Sequence, residues 1–165
     1  YQFQGSLVSI TLSNCSISEI SATSFSNVTD LQHIDLSINQ ISNLPVTVFQ
    51  HLDKLCHLNL ERNQITAIQD ETFTNLPNLK RLYLNGNKIK VIQSRLFFNL
   101  PKLLLTYFAV DLSGNPMHCD CIVYKLNRYL QSHKSVNPYH LDNWKCESPT
   151  NLAGVRIAEI DEILF

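Results

Sequence analysis

Leucine recurs at Leu7, Leu31, Leu55, Leu79 and Leu103, a strict spacing of 24 residues. Aligned on that period, the chain reads LVSITLSNCSISEI, LQHIDLSINQISNL, LCHLNLERNQITAI and LKRLYLNGNKIKVI. Each copy is followed by a phenylalanine at one offset: Phe25, Phe49, Phe73, Phe97. A fixed period in this range marks a solenoid, because one copy cannot bury its apolar face alone and becomes stable only when stacked. The alternating LxL core predicts a short strand in each copy. Ile10 and Leu12, Ile34 and Leu36, Leu58 and Leu60, and Leu82 and Leu84 are expected to point inward. The fold class is therefore α/β, a horseshoe solenoid with a parallel concave sheet and a phenylalanine spine on its convex side.

The period also explains the composition. The chain holds 24 leucines and 16 asparagines. Asn39, Asn63, Asn87 and Asn115 fall where each copy turns away from its strand, and a buried amide there can satisfy backbone groups of its own and neighbouring turns. The first copy has Cys15 at this position, expected to be a small apolar substitute in the interior. A fifth copy reads Val110, Leu112, Asn115, four residues late. The extra residues belong to the segment LLLTYFA from Leu103, expected as a bulge on the convex or ascending side.

Several function classes are excluded early. With 13 basic and 14 acidic residues the net charge is −1, which argues against nucleic acid or an anionic membrane as the main partner. The longest apolar stretch, around Leu103 to Val110, is far short of the roughly 20 residues a spanning helix needs. No positively charged, apolar signal segment opens the sequence. Ser13 and Ser37 lack any oxyanion-hole motif and no GxSxG is present, so no enzyme is expected, and no cofactor.

The pattern resembles the leucine-rich repeats of extracellular proteins, over essentially the whole chain. NPMHCDC (Asn115 to Cys121), the helical stretch IVYKLNRYL and CESPTNLAG (Cys146 to Gly154) resemble their cysteine-flanked C-terminal cap. The resemblance divides the chain into about five repeats over 1–114 and a cap over 115–165. It implies a Cys119–Cys146 disulfide, with the partner of Cys121 expected just past Phe165. A CxC…C set with His118 and Asp120 also reads as a metal site, but the family context and the lack of a CxxC pair favour the disulfide, and no metal is expected. A short array with such a cap looks most like the variable lymphocyte receptors of jawless vertebrates, with Toll-type receptor ectodomains a close second. The N-terminal cysteine cap of both is absent, which leaves Tyr1 and Phe3, or a partner, to cover the apolar edge of repeat one. The resemblance and two glycosylation sequons, at Asn14 and Asn27, imply a secreted or cell-surface protein.

Outward strand positions define the candidate ligand-binding face. One column holds Ser9, His33, His57, Arg81 and Ala109; the central one holds Thr11, Asp35, Asn59, Tyr83 and Asp111; the third holds Ser13, Ser37, Glu61, Asn85 and Ser113. Five strands at roughly 4.8 Å spacing span roughly 24 Å, a width suited to a loop, a helix or a glycan chain. Asp35, Glu61 and Asp111 read as an acidic strip for cationic ligand groups. Residues 78–101 carry five basic residues (Lys80, Arg81, Lys88, Lys90, Arg95) and no acid, readable as a dipolar surface or as drift on a solvated one. His33 and His57 sit in register on adjacent strands. Such a pair more often contacts solvent or ligand than forms a metal site or pH switch.

Tyr139 and His140, between the cap helix and Cys146, are a second candidate contact, whereas Trp144 is expected inside the cap. Val123, Leu126, Tyr129 and Leu130 recur at helical spacing as core. Cys56 is expected to face outward at the edge of its strand. It is too far from Cys15 to bridge it, so the thiol or the N-terminal edge suggests a homodimer. The function expected is recognition of a microbial surface molecule, glycan or protein antigen through the concave face. The alternative is a Toll-type signalling or cell-adhesion ectodomain that binds a host protein.

Overall fold

The alternation in each repeat becomes one short strand per turn of chain. A computed structural model describes residues 6–93, 96, 100–103, 110–132 and 143–160; of 129–132 it describes the backbone alone. Strands β1 (Ser9–Thr11), β2 (His33–Asp35), β3 (His57–Asn59), β4 (Arg81–Tyr83) and β5 (Val110–Asp111) form a parallel sheet in that order. Ser9 pairs with His33, His33 with His57, and His57 with Arg81, so equal places in the period become one spatial row. Leu82 pairs with Val110, a step of 28 rather than 24. Leu103 is still buried and bonds back to Leu100 as Leu79 does to Leu76. The four extra residues therefore fall within 104–109, and the bulge expected there lies outside the described residues.

Inward leucines and isoleucines build one continuous core through repeats two to four. Phe25, Phe49 and Phe73 stack behind it with ring centroids 6.0 Å apart at each step. Phe97, the next expected member, lies outside the described residues. Repeat one departs from the inward pattern. Leu12 is 38% exposed where its equivalent Leu36 is 1% exposed, and Leu7 and Val8 are exposed as well. A solenoid buries each turn between two neighbours, and among the described residues this turn has one. Cys15 is corrected for the same reason: it is exposed, its Sγ 3.4 Å from the Ser13 carbonyl, rather than interior.

The asparagines form a ladder. Asn63 Oδ1 accepts from Ile41 N at 3.0 Å, and its Nδ2 donates to the Leu36 and Leu60 carbonyls at 2.9 and 3.2 Å. Asn87 and Asn115 repeat this one and two turns on. Each carbonyl thus receives amide protons from its own turn and from the next. Asn63→Ala orphans the buried Ile41 N–H and removes the bonds to the Leu36, Leu60 and Glu61 carbonyls, so it should cost about 3 kcal/mol. Urea denaturation measures this, with Asn39→Ala the milder control: its Nδ2 also donates to carbonyls, but the N–H groups it leaves without an acceptor, those of Cys15 and Ile17, lie on the open first turn.

The residue before each ladder position has positive φ: Asn14, Ile38, Arg62, Gly86 and Gly114, at 51° to 67°. The chain must swing sharply out of the strand there. Glycine adopts this geometry without strain, whereas branched Ile38 does so at a cost.

The last turn is closed by the cap. Met117 and Trp144 are buried, and His118 N donates to the Lys90 carbonyl at 2.7 Å, tying cap to array. Strands β6 (Met117–His118) and β7 (Cys146–Ser148) pair in parallel, and a Cys119–Cys146 disulfide joins them. Asp120 Oδ1 accepts from Ile122 N and Val123 N, the capping geometry that starts helix α1 (Cys121–Ser132). Of the expected helix core, Val123 is buried and Leu126 packs partly buried against the core, while the side chains of Tyr129 and Leu130 lie outside those described.

Candidate functional site

Five parallel strands hold their outward side chains in rows, so the concave face is fixed by backbone register rather than by loops. His33 and Arg81 are exposed, and Asp35, His57, Asn59, Glu61, Tyr83 and Asp111 are half-buried. The structure places all eight on this face. Tyr139 and His140 lie outside the described residues, as do Ala109 and Arg95.

Rows keep some of these residues apart. Asp35 and Asp111 share the central row, but Asn59 and Tyr83 stand between them, roughly 14 Å of sheet at 4.8 Å per strand. Part of their polarity is also directed inward. Asp35 Oδ1 accepts from Ser37 N at 2.9 Å, Asn59 Oδ1 from Glu61 N at 3.0 Å, and Asp111 Oδ1 from Ser113 N at 2.9 Å. These are Asx turns that bend the chain out of each strand. Sequence reasoning missed them, although a short amide or carboxylate at one repeat position was the signal. Glu61 lies 3.3 Å from Arg62 Nε in a surface ion pair. In the third column Ser37 is buried where an open position was expected, its hydroxyl 2.9 Å from that of Ser13, whereas Ser13, Glu61, Asn85 and Ser113 stay half-buried.

The outer row is more open. His33 and His57 stack with ring centroids 4.6 Å apart, and their Nδ1 atoms are 2.7 Å apart. Partial burial, then His33, Arg81 and Lys80, hold His57 below the ordinary imidazole pKa. Cys56, just before it, is half-buried rather than fully outward, with its Sγ 3.3 Å from the Lys54 carbonyl.

The residues weighed as metal ligands in the cap have structural roles, except Cys121, an exposed free thiol. Cys119 is bridged, Asp120 caps the helix, and His118 Nδ1 lies 2.9 Å from Ser148 Oγ. Among the described residues no cluster of three His, Cys, Asp or Glu side chains is placed to hold a metal ion, and no helix is long and apolar enough to cross a membrane.

The sheet thus has buried leucines behind and polar rows in front, repeated at one step per turn. The Leucine rich repeat family model matches residues 5–65 and 55–117, so the chain belongs to the leucine-rich repeat family. No curated protein matches it significantly. Among solved structures it is similar to human 5T4 (Wnt-activated inhibitory factor 1, trophoblast glycoprotein), with 26% identity and a TM-score of 0.67 over 81% of this chain and 47% of that one. A chain of the mouse RP105/MD-1 complex is 27% identical, with a TM-score of 0.69 over 86% of this chain and 23% of that one. A chain of the octameric complex of Latrophilin 3, Unc5D and FLRT2 (LRR) shares the fold at 24% identity and a TM-score of 0.68, over 96% and 54%. The chain thus spans about half the length of the first and third of these and about a quarter of the second.

Proposed function

We propose that this chain is a non-enzymatic extracellular recognition module that binds a macromolecular ligand through its concave sheet. The observation that carries it is the alignment of polar side chains in rows on the outward face of a rigid parallel sheet. His33, His57 and Arg81 form one row, and Asp35, Asn59, Tyr83 and Asp111 another. The Cys119–Cys146 disulfide supports an oxidising, extracellular location. Asn14 and Asn27 are exposed, as glycosylation requires.

The likeness to variable lymphocyte receptors favours a microbial or antigenic surface molecule, a glycan or a protein antigen, as the ligand. A second reading is a Toll-type or adhesion ectodomain with a host protein partner; the likeness to a chain solved as the RP105/MD-1 complex favours it.

A binding screen across microbial surfaces, glycans and host proteins separates the two. Tyr83→Ala and Arg81→Ala should each weaken capture of the ligand found by about tenfold or more, the scale of an aromatic or arginine anchor, with the unfolding midpoint unchanged. Unchanged affinity in both variants would sink the concave-face reading.

A further inference from the structure

His33 and His57 approach each other through Nδ1 atoms 2.7 Å apart, with the rings stacked at an interplanar angle of 25°. Only one proton can lie on that line, donated by one Nδ1 and accepted by the other. The pair can be neutral, or it can hold one added charge with the imidazolium donating to its neutral partner. A second charge removes the accepting lone pair and sets two cations ring to ring. The protons therefore bind in two steps that belong to the pair.

The surroundings bias the second step. On β1 the row neighbour is uncharged Ser9. On β2 Asp35 follows His33 two residues on, with one oxygen held by Ser37 N. Cys56 precedes His57 just before β3 and Asn59 follows two residues on, and on β4 Arg81 pairs with His57 in register, just after Lys80. Partial burial opposes a charge on His57 most, followed by the facing imidazole, Arg81 on β4 and Lys80 just before it.

We propose that the His33–His57 pair is a proton-operated switch within the binding face. Acidification charges both rings, opens the pair and turns His33, His57 and Arg81 into a continuous cationic row that captures an anionic ligand group, a carboxylate or a sulfate ester. This regulation rests on the concave face being the binding surface. At neutral pH the imidazoles satisfy each other and offer the ligand little charge. At acid pH each ring turns N–H donors outward, and Arg81 extends the row.

The titration also acts on folding. Partial burial first, then His33, Arg81 and Lys80, hold His57 below its unfolded-chain value of about 6.5, so between the two values the unfolded chain binds more protons. Stability falls as pH falls through that window and is regained as pH rises above it.

Side-chain nitrogen NMR of the full chain, from about pH 8 to about pH 4.5, should resolve two protonation steps for the pair. In His33→Gln the remaining His57 should titrate in a single step at a higher pH. Capture of two probes is then measured at neutral and acid pH: a sulfated hexasaccharide and its desulfated, still carboxylated counterpart. Wild type should bind at least one of them about tenfold more tightly in acid, and the His33→Gln/His57→Gln double variant should lose that gain. The probe that responds identifies the anionic group. Independent titration of the two rings at an ordinary imidazole value overturns the proposal. Two-step titration without an acid gain in capture overturns it too, but leaves the concave-face reading standing. An acid gain that persists in the double variant overturns the switch, and if it persists also in Arg81→Gln and Tyr83→Ala, capture occurs elsewhere and the concave-face reading fails with it.

Discussion

Phe49→Ala is expected to lower the unfolding free energy by about 4 kcal/mol, the scale of a large-to-small change at a fully buried aromatic. Phe49 is the middle ring of the described spine, stacked at 6.0 Å on Phe25 and on Phe73, and it is 1% exposed. Truncation removes ring contacts on both sides and leaves a cavity that the flanking backbone, fixed by the sheet register, cannot close. Because each turn is held only by its neighbours, the loss at this position weakens two interfaces at once. Phe25→Ala is the internal comparison. That ring has one stacked partner among the described residues and lies beside the exposed first turn, so the loss should be smaller. Urea denaturation of both variants checks the order, and equal losses would contradict the nearest-neighbour account.

Removal of the Cys119–Cys146 cross-link, as the Cys119→Ala/Cys146→Ala double variant, should cost about 3.5 kcal/mol by loop-closure entropy for a separation of 27 residues. The bond clamps β6 to β7 beside buried Trp144, and the cap meets the array through the bond from His118 N to the Lys90 carbonyl. The expected result is a lower urea midpoint with the first loss of structure in the cap, seen as early exposure of Trp144 fluorescence. A midpoint equal to that of the wild type would show that the cross-link does not constrain the unfolded chain.

Much of this architecture was legible in the residues. The 24-residue period placed the strands, the LxL alternation assigned their inward faces, and the asparagine column marked the ladder. The resemblance of NPMHCDC and CESPTNLAG to a known cap supplied the disulfide pairing. The strands, their inward faces and the ladder follow from a local pattern repeated often enough to be read without coordinates, whereas the pairing came from the resemblance alone.

Cys15 and Leu12 were misjudged because their places in the repeat are interior ones. Burial there depends on a turn stacked on the outer side, and position within a copy carries no information about that neighbour. The face itself was legible as columns of residues but not as chemistry. Asp35, Asn59 and Asp111 each commit one side-chain oxygen to a backbone N–H, and Ser37 turns inward. A column list treats all such residues as free for ligand.

The recurrence of leucine every 24 residues was enough, by itself, to determine a stacked parallel solenoid, because no other arrangement buries that many equally spaced apolar side chains. Only the tertiary structure decided which polar side chains remain available on its face, and that His33 and His57 meet nitrogen to nitrogen. Both depend on distances of a few ångströms between turns, set by side-chain rotamers and backbone bends that the period does not encode.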